Sequence, residues 1–88
     1  MQSDKLGYKQ VANTTTVVKP TPAGLFALIV VGAGDVTAYD NASAASGVVL
    51  ATKTGAVAGD VLHFGGNGIA ANNGLTVVTT GTVNVLYT

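Results

Sequence analysis

Leu75-Thr-Val-Val-Thr-Thr-Gly-Thr-Val-Asn-Val-Leu-Tyr-Thr88 decides the fold class. β-Branched residues dominate it, and their stiff χ1 angles suit a pleated surface better than a helix. Val83, Val85 and Tyr87 share one face of a strand, with Asn84 and Leu86 on the other. Thr80-Gly81 stands at the middle as a turn signal, so the stretch reads as a hairpin of two strands, residues 75–79 and 82–88.

Similar patterns recur back toward the N-terminus. Residues 65–74 read as a ten-residue loop with four glycines and three asparagines, in which Asn67-Gly68 and Asn73-Gly74 are turn pairs tolerant of positive φ. Residues 61–64 and 48–53 read as short strands, joined by a glycine-bounded connection over 55–59 and preceded by a loop of small residues at 41–47. Residues 35–40 alternate Val36 and Ala38 with Thr37 and Tyr39, the pattern of a half-buried strand. Gly32-Ala33-Gly34 is expected to turn the chain before it. Residues 25–31 are apolar on both faces, Leu25, Ala27, Ile29 and Val31 against Phe26, Leu28 and Val30, which predicts a central strand covered on both sides. Pro20 and Pro22 end a first strand over 11–19. Residues 1–9 are polar and aperiodic apart from Leu6 and Tyr8, so they read as an N-terminal arm to a single domain spanning 10–88. About seven strands with turn signals roughly every ten residues predict an all-β fold, a small antiparallel β-sandwich or jelly-roll-like barrel.

Composition narrows what such a domain can do. A chain of 88 residues forms one domain. At this size its radius of gyration should be about 12 Å, and it buries only about 60–65% of its unfolded surface. Without cysteine it has no disulfides or thiolate metal sites, which leaves oligomerisation or docking onto a larger body as reinforcement. Glu and Arg, two of the residues that fill exposed helix faces, are absent. Charged residues make up 9% of the chain, against about 25% in an ordinary soluble domain, and the formal net charge is zero. A nucleic-acid binder needs a basic stripe, and Lys5, Lys9, Lys19 and Lys53 are scattered. The longest apolar run, residues 23–34, is too short to cross a bilayer and has no signal-peptide flanks. Neither nucleic acid nor membrane is therefore an expected partner. A surface so poor in charge favours association with other proteins.

No catalytic constellation emerges. Ile29-Val30-Val31-Gly32-Ala33-Gly34 resembles the start of a dinucleotide fingerprint, but Thr37 stands at the third glycine position and a strand follows where a helix is needed. Gly66-Asn67-Gly68-Ile69-Ala70-Ala71 also lacks the helix. His63 is the only histidine, and a zinc site needs three or four converging ligands. Ser3, Ser43 and Ser46 sit in no nucleophile-like context. Of the acids Asp4, Asp35, Asp40 and Asp60, three stand where a turn or cap favours Asp. The expectation is a protein with no catalytic residues, no cofactor and no metal. Two glycosylation-type triplets, at Asn13 and Asn41, are close to the number that chance provides.

Several stretches together resemble the small β-sandwich virion proteins of tailed bacteriophages, meaning capsid decoration (cement) proteins and related head or tail accessory proteins. They are the Thr- and Val-rich first strand entering Lys19-Pro-Thr-Pro-Ala-Gly-Leu25, then Val36-Thr-Ala-Tyr-Asp40, Ala58-Gly59-Asp60, Asn72-Asn73-Gly74-Leu75-Thr-Val-Val78 and Gly81-Thr-Val-Asn-Val-Leu-Tyr87. The resemblance implies a non-enzymatic virion structural protein, foremost a capsid decoration subunit that stabilises the assembled shell. Its expected partner is the major capsid protein or another virion protein, and a homo-oligomer, by the family's look a trimer, is expected. A head–tail, tail or fibre adaptor is the alternative. A carbohydrate-binding or adhesive module is a further one, weakened by the absence of Trp. The contacts are expected from the arm and the long loop, through Leu6, Tyr8, Asn67, Ile69, Asn72 and Asn73.

Overall fold

Backbone pairing, more than local turn signals, determines how these strands are arranged. A computed structural model describes residues 7–65 and 68–88. It contains seven strands: β1 (Gly7–Lys19), β2 (Ala23–Gly32), β3 (Gly34–Asp40), β4 (Val48–Ala56), β5 (Val61–His63), β6 (Ile69–Ala71) and β7 (Leu75–Tyr87). All pair antiparallel in one sheet curled into a half-barrel, the all-β architecture of about seven strands that the sequence predicts. The radius of gyration is 11.8 Å.

The registers reduce the seven strands to four long rows. β1 lies along one side of β7 from end to end. On the other side of β7, β3 pairs with its first half and β2 with its second, so residues 23–40 form one row. β4 pairs with β3, while β5 and β6 pair with β2, so residues 48–71 form the fourth row. The order across the sheet is β1, β7, β2/β3, β4/β5/β6.

Two expected turns are therefore corrected. Gly32-Ala33-Gly34 does not fold β2 back on β3, because the two strands run end to end along β7. Thr80-Gly81 is not a hairpin tip but the middle of the 13-residue β7. A two-residue hairpin favours positive φ at its first loop position, which a β-branched threonine resists. It would also place Val77 opposite Asn84, splitting the apolar set between faces, whereas the continuous strand keeps Leu75, Val77, Val83 and Val85 on one. The count of seven survives because β6 forms inside the expected 65–74 loop, where Ile69 pairs with Leu25. Gly7, Tyr8 and Lys9, expected in the arm, are the first rungs of β1, since β7 extends to Leu86 and Tyr87 and offers them partners. Residues 1–6 lie outside the described residues.

One crease crosses the rows at a common level. The β1–β7 register shifts at Asn13 (φ 47°), a single residue opposite Thr80-Gly81. Gly32-Ala33-Gly34 lies on the other side of Thr80-Gly81, and the 57–60 turn hydrogen-bonds to Val30 through Gly59 and Asp60. Gly34 and Gly81 touch backbone to backbone. A Cβ on Gly34 would lie 2.7 Å from the Gly81 Cα, and a Cβ on Gly81 would overlap the Gly32 and Ala33 carbonyl oxygens. Thr79 and Thr80 stitch the crease. The buried Thr79 hydroxyl donates to the Asp35 carbonyl (2.7 Å) and accepts from the Gly81 N–H (3.0 Å), while Asp35 N–H donates to Thr80 Oγ1 (2.9 Å).

The core fills the concave face: Val11, Val18, Leu25, Leu28, Val36, Ala38, Ala71, Leu75, Val77, Val83 and Val85. β2 is central, as expected, but it is not covered on both faces. A bulge at Phe26 shifts its phase, so Leu25, Leu28 and Val30 point inward. Phe26 and Ile29 are half-buried and Val31 is 47% exposed.

The crease yields a pair of expected outcomes. Gly81→Ala should cost about 2–3 kcal/mol or more, because its Cβ has only backbone to displace. Gly55→Ala should cost about 1 kcal/mol, since Gly55 has φ +68° but no atom within 4 Å of its Cβ position. Urea denaturation of the two variants beside the parent measures the difference, and equal losses would show that the Gly34–Gly81 contact does not constrain the fold.

Candidate interaction surface

Residues directly opposite one another in an antiparallel ladder share a face, so the registers sort side chains across the whole sheet. Inward-facing rows run Gly7–Tyr87–Leu25–Ile69, Lys9–Val85–Leu28–Leu62, Thr14–Thr79–Val36–Lys53, Thr16–Val77–Ala38–Ala51 and Lys19–Leu75–Asp40–Val48. Their middles are the core, and their charged members Lys9, Lys19, Lys53 and Asp40 fall at the rims or in the end row.

The convex face is different. Its complete rows are Tyr8–Leu86–Ala27–His63, Gln10–Asn84–Ile29–Val61, Thr15–Val78–Thr37–Thr52 and Val17–Thr76–Tyr39–Val49. None of these rows contains Lys, Asp, Glu or Arg. Tyr8 (68% exposed), Val61 (55%) and Val49 (49%) present large apolar surface to solvent. The polar members pair within the face. Gln10 Nε2 donates to Asn84 Oδ1 (3.0 Å), and the Thr37 and Thr52 hydroxyls hydrogen-bond across strands (2.9 Å). Thr76 is buried and donates to the Asn41 carbonyl at the start of the 41–47 loop (2.8 Å). Asn41 holds that loop in shape: its Oδ1 accepts the Ser43 and Ala44 N–H groups, and its Nδ2 donates to the Ser46 carbonyl.

The aspartates and the histidine among the described residues serve the chain's turns. Asp35 Oδ1 accepts the Gly55 N–H (2.8 Å), Asp60 Oδ2 the Val57 N–H (3.0 Å) and Asp40 Oδ1 the Asn73 N–H (2.8 Å). His63, exposed at the end of β5, accepts the Gly65 N–H on Nδ1 (3.3 Å). Among the described residues no three His, Cys, Asp or Glu side chains come together. A shallow open groove lies at one end of the sheet, between Lys19, Pro22, Asn72 and Thr88, floored by small residues.

The residues expected to make contacts are dispersed. Tyr8 is exposed on the convex face beside Leu86. Ile69 faces inward and packs against the core. Asn72 and Asn73 are exposed in the turn before β7, where the Asn73 backbone is tied to Asp40. Leu6 and Asn67 lie outside the described residues. Sequence reasoning missed the convex rows. A partial signal lies in the two longest strands, β1 and β7, whose convex-facing alternate positions carry no charge, but joining them to one face requires the registers.

Set beside protein-family models, curated proteins and solved structures, the chain matches none of them.

The buried hydroxyl of Thr79 offers a direct test of how the sheet's polar groups are satisfied. Thr79→Val keeps the shape but leaves the Gly81 N–H and the Asp35 carbonyl without their partner, so a loss of about 1–3 kcal/mol is expected in thermal or urea unfolding. Thr52→Val on the exposed edge should change stability by less than about 0.5 kcal/mol.

Proposed function

We propose that the chain is a non-enzymatic structural subunit of a tailed-bacteriophage virion, a decoration protein that binds the assembled capsid shell and stabilises it. The observation that carries this reading is the convex face, whose four complete rows, each four strands wide, hold no Lys or Asp and are dominated by β-branched residues, with Tyr8 and Tyr39 among them. Charged residues are depleted at the centres of protein interfaces and aromatics enriched. A face of this chemistry can be covered by a protein surface without stripping water from ions. The carboxylates of Asp35, Asp40 and Asp60 are engaged in shaping turns, which fits a scaffold more than a catalyst. The bacteriophage assignment comes from the resemblance in the strand and turn sequences.

The mechanism is mass action. A ligand that binds the closed shell but not its loose subunits stabilises the shell by RT ln(1 + [L]/Kd), about 2.7 kcal/mol per site at a hundredfold excess over Kd. The partner is the major capsid protein in its assembled form.

The test uses undecorated heads of the phage that encodes the chain. The purified protein should co-sediment with them to a saturating copy number and raise the temperature at which they release DNA. Ile29→Lys and Val61→Lys, which place charge within one convex row, should weaken binding by about tenfold or more while leaving circular dichroism unchanged. Absence of co-sedimentation would overturn the decoration role. Retention of full affinity by both variants would move the contact away from the convex face.

A further inference from the structure

Among the described residues the half-barrel has two unpaired edges, and they are unequal. The 48–71 edge is made of pieces. β4 is out of register at Leu50 and carries Lys53, positive-φ glycines follow at Gly55, Gly59, Gly65 and Gly68, and β5 and β6 are three residues each. An edge interrupted in this way is a poor template for another strand. The β1 edge is a single strand of 13 residues that, among the described residues, pairs only with β7. The register shift at Asn13 divides it. The first half carries Lys9, a residue that blunts edges. The second half, Thr14-Thr15-Thr16-Val17, is four β-branched residues without charge, glycine or proline, in unbroken register with β7 and largely exposed.

We infer that Thr14–Val17 of β1 is an assembly edge, and that its occupant is the same segment of a second copy, added antiparallel so that the two half-barrels share one continuous sheet. This rests on the reading of the chain as a structural subunit and specifies how its copies join. Half of the backbone N–H and C=O groups of an edge strand point away from its own sheet, spaced so that only another extended strand can pair with them in series. The partner strand is identified by self-complementarity. A twofold axis perpendicular to the sheet pairs residues of the same face. Centred on Thr16, it sets Thr15 opposite Val17 of the second copy and Thr14 opposite Val18. Centred on Thr15, it sets Thr14 opposite Thr16. Either register makes cross-strand pairs of β-branched residues, and neither brings Lys9 or Lys19 opposite itself. A ring of three would instead need β1 to pair with the broken 48–71 edge of its neighbour, because only an isologous contact joins like edge to like.

The experiment compares the full chain with Thr15→Lys, Val17→Lys and Gln10→Lys, measuring native mass by sedimentation over a range of concentration and amide hydrogen exchange under the same conditions. The parent should sediment as two copies, with protection of the 14–17 amides rising with concentration. Thr15→Lys and Val17→Lys should weaken self-association by about tenfold or more through charge placed at the shared ladder, with circular dichroism unchanged. Gln10→Lys, in the other half of β1, should leave it intact. A monomeric parent, a three-copy parent, or association lost in Gln10→Lys but kept in Thr15→Lys would each overturn the inference. A parent that pairs through 14–17 yet fails to bind heads would overturn the decoration role and leave the edge contact standing. A parent that binds heads as a monomer would do the reverse.

Discussion

Everything in this fold depends on two glycines being able to touch. Gly34 and Gly81 sit on the two central rows at the level where the sheet bends, and their backbones come closer than any side chain allows. Strong coiling of a sheet requires its inner rows to crowd at the bend, and glycine is the residue that permits it. With the crease in place, both halves of β7 turn their odd-numbered residues toward the same concave space. Val77 and Val85, eight residues apart on either side of the bend, belong to one buried cluster. Without it, the same residues would form a flat apolar face too broad for so short a chain to cover.

The crease also explains where polarity goes. A bend interrupts ladder hydrogen bonds, and the freed groups must find partners. The Thr79 hydroxyl takes two of them, the Gly81 N–H and the Asp35 carbonyl, and Thr80 takes a third. Asp35 and Asp60 then fasten the fourth row at the same level through the Gly55 and Val57 N–H groups. A cluster of Thr and Asp beside Gly thus reflects the backbone accounting of a folded-over sheet. One concave core is the result, at the expense of a largely exposed convex face and, among the described residues, two unpaired edges, since only full closure removes edges.

Much of this architecture was legible in the alternation of residues, and the misreadings have specific causes. The strand segments at 35–40, 48–53 and 61–64 are recognisable because local period fixes which residues extend. Pairing is not a local property. Thr80-Gly81 resembled a turn because glycine follows a threonine run, yet the odd-numbered apolar residues stay in phase from Leu75 to Tyr87, which a two-residue turn would break. Gly32-Ala33-Gly34 offered no such clue. Val30 and Val36 would face each other equally well across a hairpin, and only the length of β7 makes it possible for both strands to lie along it instead. The aspartates were readable as turn-shaping residues from their neighbours alone. The convex face was not, because assigning a residue to a face of the whole sheet needs registers across three ladders.

The chemistry of that face bears on why it holds threonine and amides instead of charge. A solvated lysine keeps a sheet soluble, but covering it with another protein costs the hydration of an ion, which is only recovered by a well-placed partner. A hydroxyl or amide that already has a partner on its own face brings a smaller penalty, since its hydrogen bond survives burial. Thr37 with Thr52, Gln10 with Asn84, and Thr76 with the Asn41 carbonyl are arranged in this way. Such a surface is moderately wet while free and can be covered with little unsatisfied polarity. That combination is what the proposed role asks of a small subunit with a thin core, whose stability would be completed by what it docks against. In the proposed role, charge at the rims would discourage misaligned contacts without entering the covered area.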